Sequence, residues 1–350
     1  MIFLMCPQGG NLTEAPLVLC RICSQWRKIA LDTPQLWCNP RCVIRLGHFD
    51  HAIAGFATWL ERSGRLRPLN LSFHLKYCSP HADGHIELFE VAKSVSSRWK
   101  SLTICLSDSS SAFGLIDQLD TTNLPQLETL TMLNWWNSFS DRPYTPPANP
   151  LFSAAPALRA LTIQGISPTL VPQHVFVRNL TKLRMMNYCY QDTPGRYLQL
   201  LEECSNLTYC AILCSLGPYS SNFLPRPRTL PKLIHLQIEG YCPYFSFVRI
   251  LLNALTIPHL EFVSINFQFN EIYLPHGAIY IPTLADHPRD AFLNFIERSA
   301  HTLSLVPRAV DPYCFEMAAS ASPTRKISRS NREWLDSGFP PFSHPFRRPH

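Results

Sequence analysis

The stretch Pro231–Ile238, with the sequence Pro-Lys-Leu-Ile-His-Leu-Gln-Ile, contains a pattern that recurs along the chain. An apolar anchor, Leu233, is followed by two variable positions, the apolar Leu236, one variable position and the apolar Ile238. Because the last two apolar residues are two apart, their side chains point to one face of a short strand, and the anchor lies in the turn that enters it. The pattern therefore predicts a short strand with one buried face.

Seven segments share this pattern, and their anchors lie 24 to 31 residues apart. They are Trp99-Leu102-Ile104, Leu127-Leu130-Met132, Leu158-Leu161-Ile163, Leu183-Met186-Tyr188, Leu207-Cys210-Ile212, Leu233-Leu236-Ile238 and Leu260-Val263-Ile265. Four anchors have a proline two residues before them, where it is expected to end a preceding helix: Pro125, Pro156, Pro231 and Pro258. The period is typical of leucine-rich repeats, in which each unit buries its apolar face only by stacking on its neighbours.

Apolar residues at helical spacing lie between the strand segments. They occur in Ile116–Leu119, Tyr197–Leu201 and Phe247–Leu255, the last ending before Pro258. The sequence therefore predicts an α/β fold, a leucine-rich-repeat-like solenoid of short parallel strands with helical crossovers, over residues 46–305. The regular turn asparagines of such repeats are missing, so we expect an irregular solenoid with long insertions at Asn134–Pro150 and Pro218–Thr229.

The composition is that of a folded protein rather than a disordered one. Of the 350 residues, 46% are hydrophobic and 16% are charged, which is enough apolar material for an extensive core. The net charge of +6 is small and spread out, so nucleic acid is not expected as a partner. No run of about 18 apolar residues occurs, so neither a transmembrane helix nor a membrane partner is expected.

The cysteines indicate a reducing compartment. There are 13 of them, an odd number, and we expect them to pack as small apolar side chains in an intracellular protein of the cytoplasm or nucleus. Cys20-x-x-Cys23 has no second pair at metal spacing, so it is assigned to core packing, and neither a metal nor a cofactor is expected.

No nucleophile elbow, phosphate-binding loop or dinucleotide fingerprint occurs, so we do not expect an enzyme. A hydrolase on the α/β fold is the enzymatic alternative.

Residues 15–45 form a separate helical module before the repeats. The apolar residues of its first half follow the three-and-four spacing of one helical face: Leu19, Ile22, Cys23, Trp26, Ile29 and Ala30. Thr33-Pro34 is expected to end this helix, and Leu36-Trp37 supplies an apolar plug after the turn.

This module resembles the second half of an F-box of the large F-box-like families of fungi. The matching positions are Ile22, Cys23, Trp26, Arg27, Ile29, Ala30, Thr33, Pro34, Leu36 and Trp37. Trp59–Gly64 and Phe295–Ala300 also resemble segments that are common in that group. The resemblance implies a non-enzymatic, substrate-recognition subunit of an SCF-type ubiquitin ligase, which binds an unidentified target protein through the repeat surface.

The same resemblance implies a Skp-type adaptor of a cullin-RING ligase as a partner. The residues that would face it are Leu17, Leu19, Ile22, Trp26, Leu36 and Trp37, of which several can instead serve the core of the module. Residues 1–14 lack the Leu-Pro-x-Glu string with which an F-box begins, so we expect adaptor binding to be weaker by several kcal/mol than that of a complete motif.

Two alternatives share the same solenoid: an adaptor-independent protein-binding scaffold, and an inactive, truncated paralogue. The remaining segment, residues 306–350, lacks the repeat pattern and is rich in proline, serine and arginine. It is expected to be a disordered basic tail.

Overall fold

The computed structural model describes residues 16–44, 49–75, 84–106, 123–134, 155–165, 177–187, 194–214, 226–241, 245–268, 272–273, 279–280, 289–299 and 304–305. Four predictions lie wholly or mostly outside these ranges. They concern residues 1–14, the insertions (of which residues 135–150 and 218–225 are outside), the helical stretch Ile116–Leu119 and the tail 306–350.

The N-terminal module contains two short helices rather than one. Helix α1 spans Leu19–Ile22 and α2 spans Ser24–Leu31, and between them Cys23 has an extended backbone (φ −157°, ψ 171°). The Cys23 side chain is exposed, and its sulfur accepts a hydrogen bond from the backbone N–H of Trp26 at 3.5 Å. The predictions of one continuous helix and of Cys23 as a core residue are therefore wrong, because Cys23 satisfies an N–H group at the start of α2 that has no acceptor within the helix.

The chain then alternates between strands and helices or turns, and it contributes fourteen strands within the described ranges. They are β1 (Arg41–Ile44), β2 (Leu69–Leu75), β3 (Trp99–Leu106), β4 (Thr129–Asn134), β5 (Ala160–Gln164), β6 (Lys182–Asn187), β7 (Tyr209–Cys214), β8 (Arg228–Thr229), β9 (His235–Tyr241), β10 (Leu255–Thr256), β11 (Phe262–Gln268), β12 (Ile272–Tyr273), β13 (Ile279–Tyr280) and β14 (Ser304–Leu305).

Ten of these strands form one parallel sheet, in the order β1-β2-β3-β4-β5-β6-β7-β9-β11-β14. Spatial order follows chain order, so each connection leads from one strand to the next along the sheet. The strands β8 and β10 form a separate parallel pair, and β12 and β13 form an antiparallel pair. The predicted α/β class with parallel strands is confirmed.

A row of buried side chains runs across the sheet and fixes its register. Its members are paired from strand to strand: Leu71, Leu102, Leu130, Leu161, Leu183, Cys210, Leu236 and Val263. Each is at most 4% exposed. This row is the second apolar position of the predicted pattern in every segment except the fourth.

The predicted register of the fourth segment, Leu183-Met186-Tyr188, is wrong. Leu183 pairs with Leu161 and is therefore the second apolar position, and Leu180 takes the anchor position. Leu180 and Leu183 are three residues apart, so either fits the anchor in the sequence alone. Pairing with both neighbouring strands decides between them, and it places Met185 on the buried face and Met186 on the opposite one.

The turns that enter the strands repeat as closely as the strands do. In six units the anchor N–H donates to the carbonyl three residues earlier, at 3.1 to 3.4 Å: Leu127 to Leu124, Leu158 to Ala155, Leu180 to Val177, Leu207 to Cys204, Leu233 to Leu230 and Leu260 to Ile257. The prolines before the anchors occupy the second position of these turns, which their fixed φ suits. The prediction that they end helices is wrong for Pro231 and Pro258, which follow β8 and β10.

Five longer helices complete the structure within the described ranges. They are α3 (Phe49–Arg62), α4 (Gly84–Lys93), α5 (Pro194–Glu203), α6 (Phe245–Ala254) and α7 (Arg289–Ser299). Helices α5 and α6 confirm the predictions for Tyr197–Leu201 and Phe247–Leu255, although α6 ends at Ala254 and Leu255 begins β10.

These helices cover one face of the sheet. Each contributes a side chain to the same core cluster as the inward-facing leucines of the strands: Phe56, Phe89, Tyr197, Phe247 and Phe295. The residues at alternate positions form a second, outer face of the sheet. Part of that face is also buried, since Cys105, Gln164, Met186, Ala211 and Leu213 are at most 9% exposed.

Candidate functional site

A small second core holds the N-terminal module against α3. It contains Leu19, Ala30, Leu36, Trp37 and Trp59. The Trp37 indole packs edge-on against Trp59, with ring centroids 5.1 Å apart, and its N–H donates to the Ala30 carbonyl at 2.9 Å. This buried network gives the module a defined position beside α3.

Four large apolar side chains of the two helices are exposed to solvent. Ile22 is 54% exposed, Ile29 is 42% exposed, and Trp26 and Leu31 are each 37% exposed. We call these four residues the α1–α2 patch. Burying exposed apolar area is the main gain in protein association, and aromatic residues such as tryptophan contribute strongly to binding. The α1–α2 patch is therefore a candidate protein-binding surface.

The structure separates the six predicted adaptor residues into two groups. Leu19, Leu36 and Trp37 are at most 2% exposed, so they have almost no surface to offer a partner. Ile22 and Trp26 belong to the α1–α2 patch, and Leu17 is half-buried beside the small core. Adaptor contact remains a prediction for all six residues, and the exposed area that could make it comes mainly from Ile22 and Trp26.

The sequence pattern did not indicate the exposure of Ile29 and Leu31. The apolar spacing of Leu19–Ala30 indicated a single buried face, whereas Ala30 is buried and its neighbours on both sides are exposed. The two short helices have room for only one buried stripe against Trp37 and Trp59, so most of their apolar residues are left outside. The sequence did contain a signal for this exposure: α1 and α2 have more apolar residues than two such short helices can bury.

The outer face of the sheet is a second candidate surface, and two rows of its first half carry small, uncharged side chains. From β2 to β5, the outward-facing row nearest the N-terminal ends of the strands, here called the lowest row, contains Asn70, Ser101, Thr129 and Ala160. The next row contains Ser72, Thr103, Thr131 and Thr162. We call this part of the outer face the hydroxyl half.

The second half of the outer face carries charge and aromatic rings. The lowest row continues in register from Lys182 on β6 to Tyr209, His235 and Phe262 on the next three strands. The rings of Tyr209 and His235 are 6.5 Å apart between centroids, and those of His235 and Phe262 are 5.7 Å apart. We call these four residues the aromatic row.

Hydrogen bonds hold part of this half in place. The Tyr209 hydroxyl donates to Gln237 Oε1 at 3.0 Å, and Gln237 Nε2 donates to Glu239 Oε1. Lys182 and His235 are exposed, whereas Tyr209 and Phe262 are half-buried. The sequence contained a signal for the aromatic row that was overlooked: in three successive units an aromatic or imidazole ring immediately precedes the second apolar position.

The thiols of the cores are poor candidates for chemistry. Burial raises the pKa of Cys42 and of Cys210 to about 12, and it also raises the pKa of Cys204, so these thiols are protonated at neutral pH. A protonated thiol is neither a good nucleophile nor a metal ligand. Within the described ranges there is no group of three or more histidine, cysteine, aspartate or glutamate side chains placed to hold a metal ion.

The comparisons with known proteins do not assign the chain to a family. A scan against protein-family models matches no family, and a search of curated proteins finds no significant match. No helix in the described part of the chain is both long enough and apolar enough to span a membrane. The two exposed surfaces are therefore the basis for a functional proposal.

Proposed function

We propose that this protein is the substrate-recognition, F-box-like subunit of an SCF-type ubiquitin ligase. In this proposal the helical module of residues 15–45 binds a Skp-type adaptor, and a leucine-rich-repeat-like solenoid presents a target protein. The protein itself carries out no covalent step. Transfer of ubiquitin occurs on the other subunits of the ligase.

The observation that carries the proposal is the exposure of the α1–α2 patch on a module that the small core holds against α3. The module is anchored from behind by Trp37 and Trp59, and Arg27 Nε ties α2 to α1 by donating to the Cys20 carbonyl at 2.8 Å. The exposed Trp26 and Ile29 are three residues apart in α2, so they lie on the same side of that helix. A rigid helix face with apolar anchors is what helix-in-groove or helix-to-helix recognition requires.

The order of the sheet supports the second part of the proposal. The strands of the large sheet pair in the order in which they occur in the chain, and the turns before six of them repeat the same hydrogen bond. Units that stack on their neighbours leave one long face of the sheet for a partner. Among the described residues, this outer face of the sheet carries the aromatic row.

The experiment that tests the proposal is binding of the full chain to a purified Skp-type adaptor. We expect wild type to bind, and we expect Trp26→Asp to weaken binding by at least about tenfold, because it places a charge where an apolar anchor must be buried. The matched control is Leu66→Asp, since Leu66 is 94% exposed and lies outside the α1–α2 patch.

Two outcomes would overturn the proposal. One is a wild-type protein that does not bind the adaptor, and the other is adaptor binding that Trp26→Asp and Leu66→Asp change equally. Either result would favour the adaptor-independent scaffold or the inactive paralogue. Thermal unfolding of both variants shows whether a loss of binding comes from a loss of folding.

A further inference from the structure

We infer that the aromatic row binds an extended segment of a partner protein that combines acidic and aromatic side chains. The inference names the class of target that the proposed recognition subunit would hold, and it therefore rests on the proposed function. It starts from the contrast between the uncharged hydroxyl half and the aromatic row that continues it. This contrast assigns the residues that bind the partner to the strands from β6 to β11.

The length of the aromatic row fits a short peptide. Lys182, Tyr209, His235 and Phe262 lie on four adjacent strands in direct register. Neighbouring strands are about 4.8 Å apart, so the row is about 14 Å long. An extended chain rises about 3.3 Å per residue, so about five residues crossing the strands reach from one end of the row to the other.

The rings supply the apolar part of the site. The three rings lie next to one another with centroids 5.7 to 6.5 Å apart, and His235 is exposed. Aromatic side chains of a partner can pack on such rings and gain both buried area and ring contacts. The Tyr209 hydroxyl is held by Gln237, which fixes the first ring before a partner arrives.

The charges on this half of the face indicate the charge of the partner segment and the direction in which it binds along the row. Lys182 is exposed at one end of the row and has no ion pair among the described residues, with Arg184 two positions further along the same face. Glu239 lies on β9 four residues beyond His235, about 13 Å along the strand, so it lies outside the row. An acidic side chain is therefore favoured at the β6 end, so the acidic residue should precede or follow the aromatic ones rather than lie among them.

A single strand of nucleic acid would also use rings and cations, but the position of the one lysine of the row argues against it. Phosphates would follow the whole length of the row, whereas Lys182 lies at one end of it and Tyr209 and Phe262 carry no charge. A peptide with one acidic end needs a cation only at that end. The peptide is therefore the partner that the charges favour.

The test measures binding of the full chain to three fluorescein-labelled probes. They are an Asp-Glu-Gly-Phe-Leu-Phe peptide, a Lys-Lys-Gly-Phe-Leu-Phe peptide and a thymidine oligonucleotide. We expect the acidic peptide to bind about tenfold more tightly than the basic one, and more tightly than the oligonucleotide. The inference is overturned if neither peptide binds, if the basic peptide binds as well as the acidic one, or if the oligonucleotide binds best.

Two pairs of variants locate the site. Lys182→Gln should weaken binding of the acidic peptide about fivefold, whereas Asn70→Asp changes the net charge equally at the other end of the same outward row and should not. His235→Ala should also weaken binding about fivefold, whereas His259→Ala removes an exposed histidine outside the row and should not. Equal effects within either pair would overturn the assignment to the aromatic row.

Adaptor binding by the same variants separates this inference from the proposed function. Lys182→Gln and His235→Ala should bind the Skp-type adaptor like wild type, since the α1–α2 patch is unchanged. Selective peptide binding without adaptor binding would refute the ligase role and leave the peptide site in place. Adaptor binding without selective peptide binding would refute the peptide site alone.

Discussion

Two helices of this protein end in the same three residues, Glu-Arg-Ser, and the tertiary structure uses them differently. Helix α3 ends at Glu61-Arg62-Ser63 near the first strands of the sheet, and α7 ends at Glu297-Arg298-Ser299 beside α6 and β10. Both serines are completely buried. The shared sequence therefore produces the same local structure, a helix end with an inward-facing hydroxyl.

The partners of the two serines differ. Arg98 Nη2 donates to Ser63 Oγ at 2.9 Å, and the Ser63 hydroxyl donates to the Leu60 carbonyl at 2.6 Å. Ser299 Oγ accepts instead from the backbone N–H of Ile257, at 3.0 Å. One serine thus satisfies a buried guanidinium and the other satisfies a buried peptide group.

The arginines differ as well. The Arg62 guanidinium lies over the Trp37 ring, 4.8 Å from its centroid, next to the N-terminal module. Arg298 Nη2 points at the C-terminal end of α6, where it donates to the Leu252 carbonyl at 2.6 Å and contacts two further carbonyls. The comparison teaches that a local motif specifies where a helix ends, whereas the elements packed against it determine which bonds its side chains make.

The largest expected effect at the two helix ends concerns the serines. Ser63→Ala should lower the free energy of unfolding by about 2 kcal/mol, because it removes the acceptor of a buried charged donor. Ser299→Ala should lower it by about 1 kcal/mol, because the donor that it leaves is a neutral peptide N–H. Chemical denaturation measures both values.

Ser94→Ala is the matched control, since Ser94 is an exposed serine that follows α4 and donates to the Val91 carbonyl. Its effect should stay within about 0.5 kcal/mol. Equal losses for Ser63→Ala and Ser299→Ala would show that the charge of Arg98 is not decisive.

The arginines should give smaller losses of stability, and here the second helix end should lose more than the first. Arg298→Ala should cost about 1.5 kcal/mol, since the helix carbonyls of α6 lose a charged donor. Arg62→Ala should cost about 0.5 kcal/mol, because a cation over an aromatic ring at an exposed site contributes little. Thermal unfolding with Arg249→Ala, an exposed arginine of α6, as control would reveal the difference; a larger loss for Arg62→Ala would contradict the comparison.

The smallest effect concerns the residue after the serine, which is Gly64 at the first end and Ala300 at the second. Gly64 has φ +75°, a conformation that a Cβ atom disfavours, so Gly64→Ala should destabilise the protein by about 1 kcal/mol. Gly55→Ala is the control, because Gly55 lies within α3 and a Cβ there would meet nothing within 4 Å. It should stabilise the protein slightly, since alanine favours helix over glycine. A stabilising Gly64→Ala would show that the positive φ is not required.

The apolar periodicity was sufficient to predict the parallel sheet and the place of seven of its ten strands. Residues such as Leu130 and Leu236 alternate with polar neighbours, and that alternation assigns one face to the core. It was insufficient at Leu180 and Leu183, where two apolar residues three apart both fit the anchor. Only pairing with Leu161 shows which of them enters the strand.

The candidate surfaces were less accessible to sequence analysis. The F-box-like spacing pointed to Ile22 and Trp26, and these are exposed, but it also pointed to Leu36 and Trp37, which are buried. Apolar residues of a core and of an interface have the same chemistry, so their sequence pattern cannot separate them. The aromatic row requires residues from four strands, and its members are 26 or 27 positions apart in the chain.

The sequence by itself determined the α/β class and the buried face of six of the seven predicted strands, because these depend on residues close together in the chain. Tertiary structure alone decided which apolar side chains of the N-terminal module remain exposed, which bonds the two Glu-Arg-Ser ends make and which rings stand side by side on the outer face. The physical reason is that burial and hydrogen bonding are settled by the surface that an element packs against, and that surface comes from distant parts of the chain.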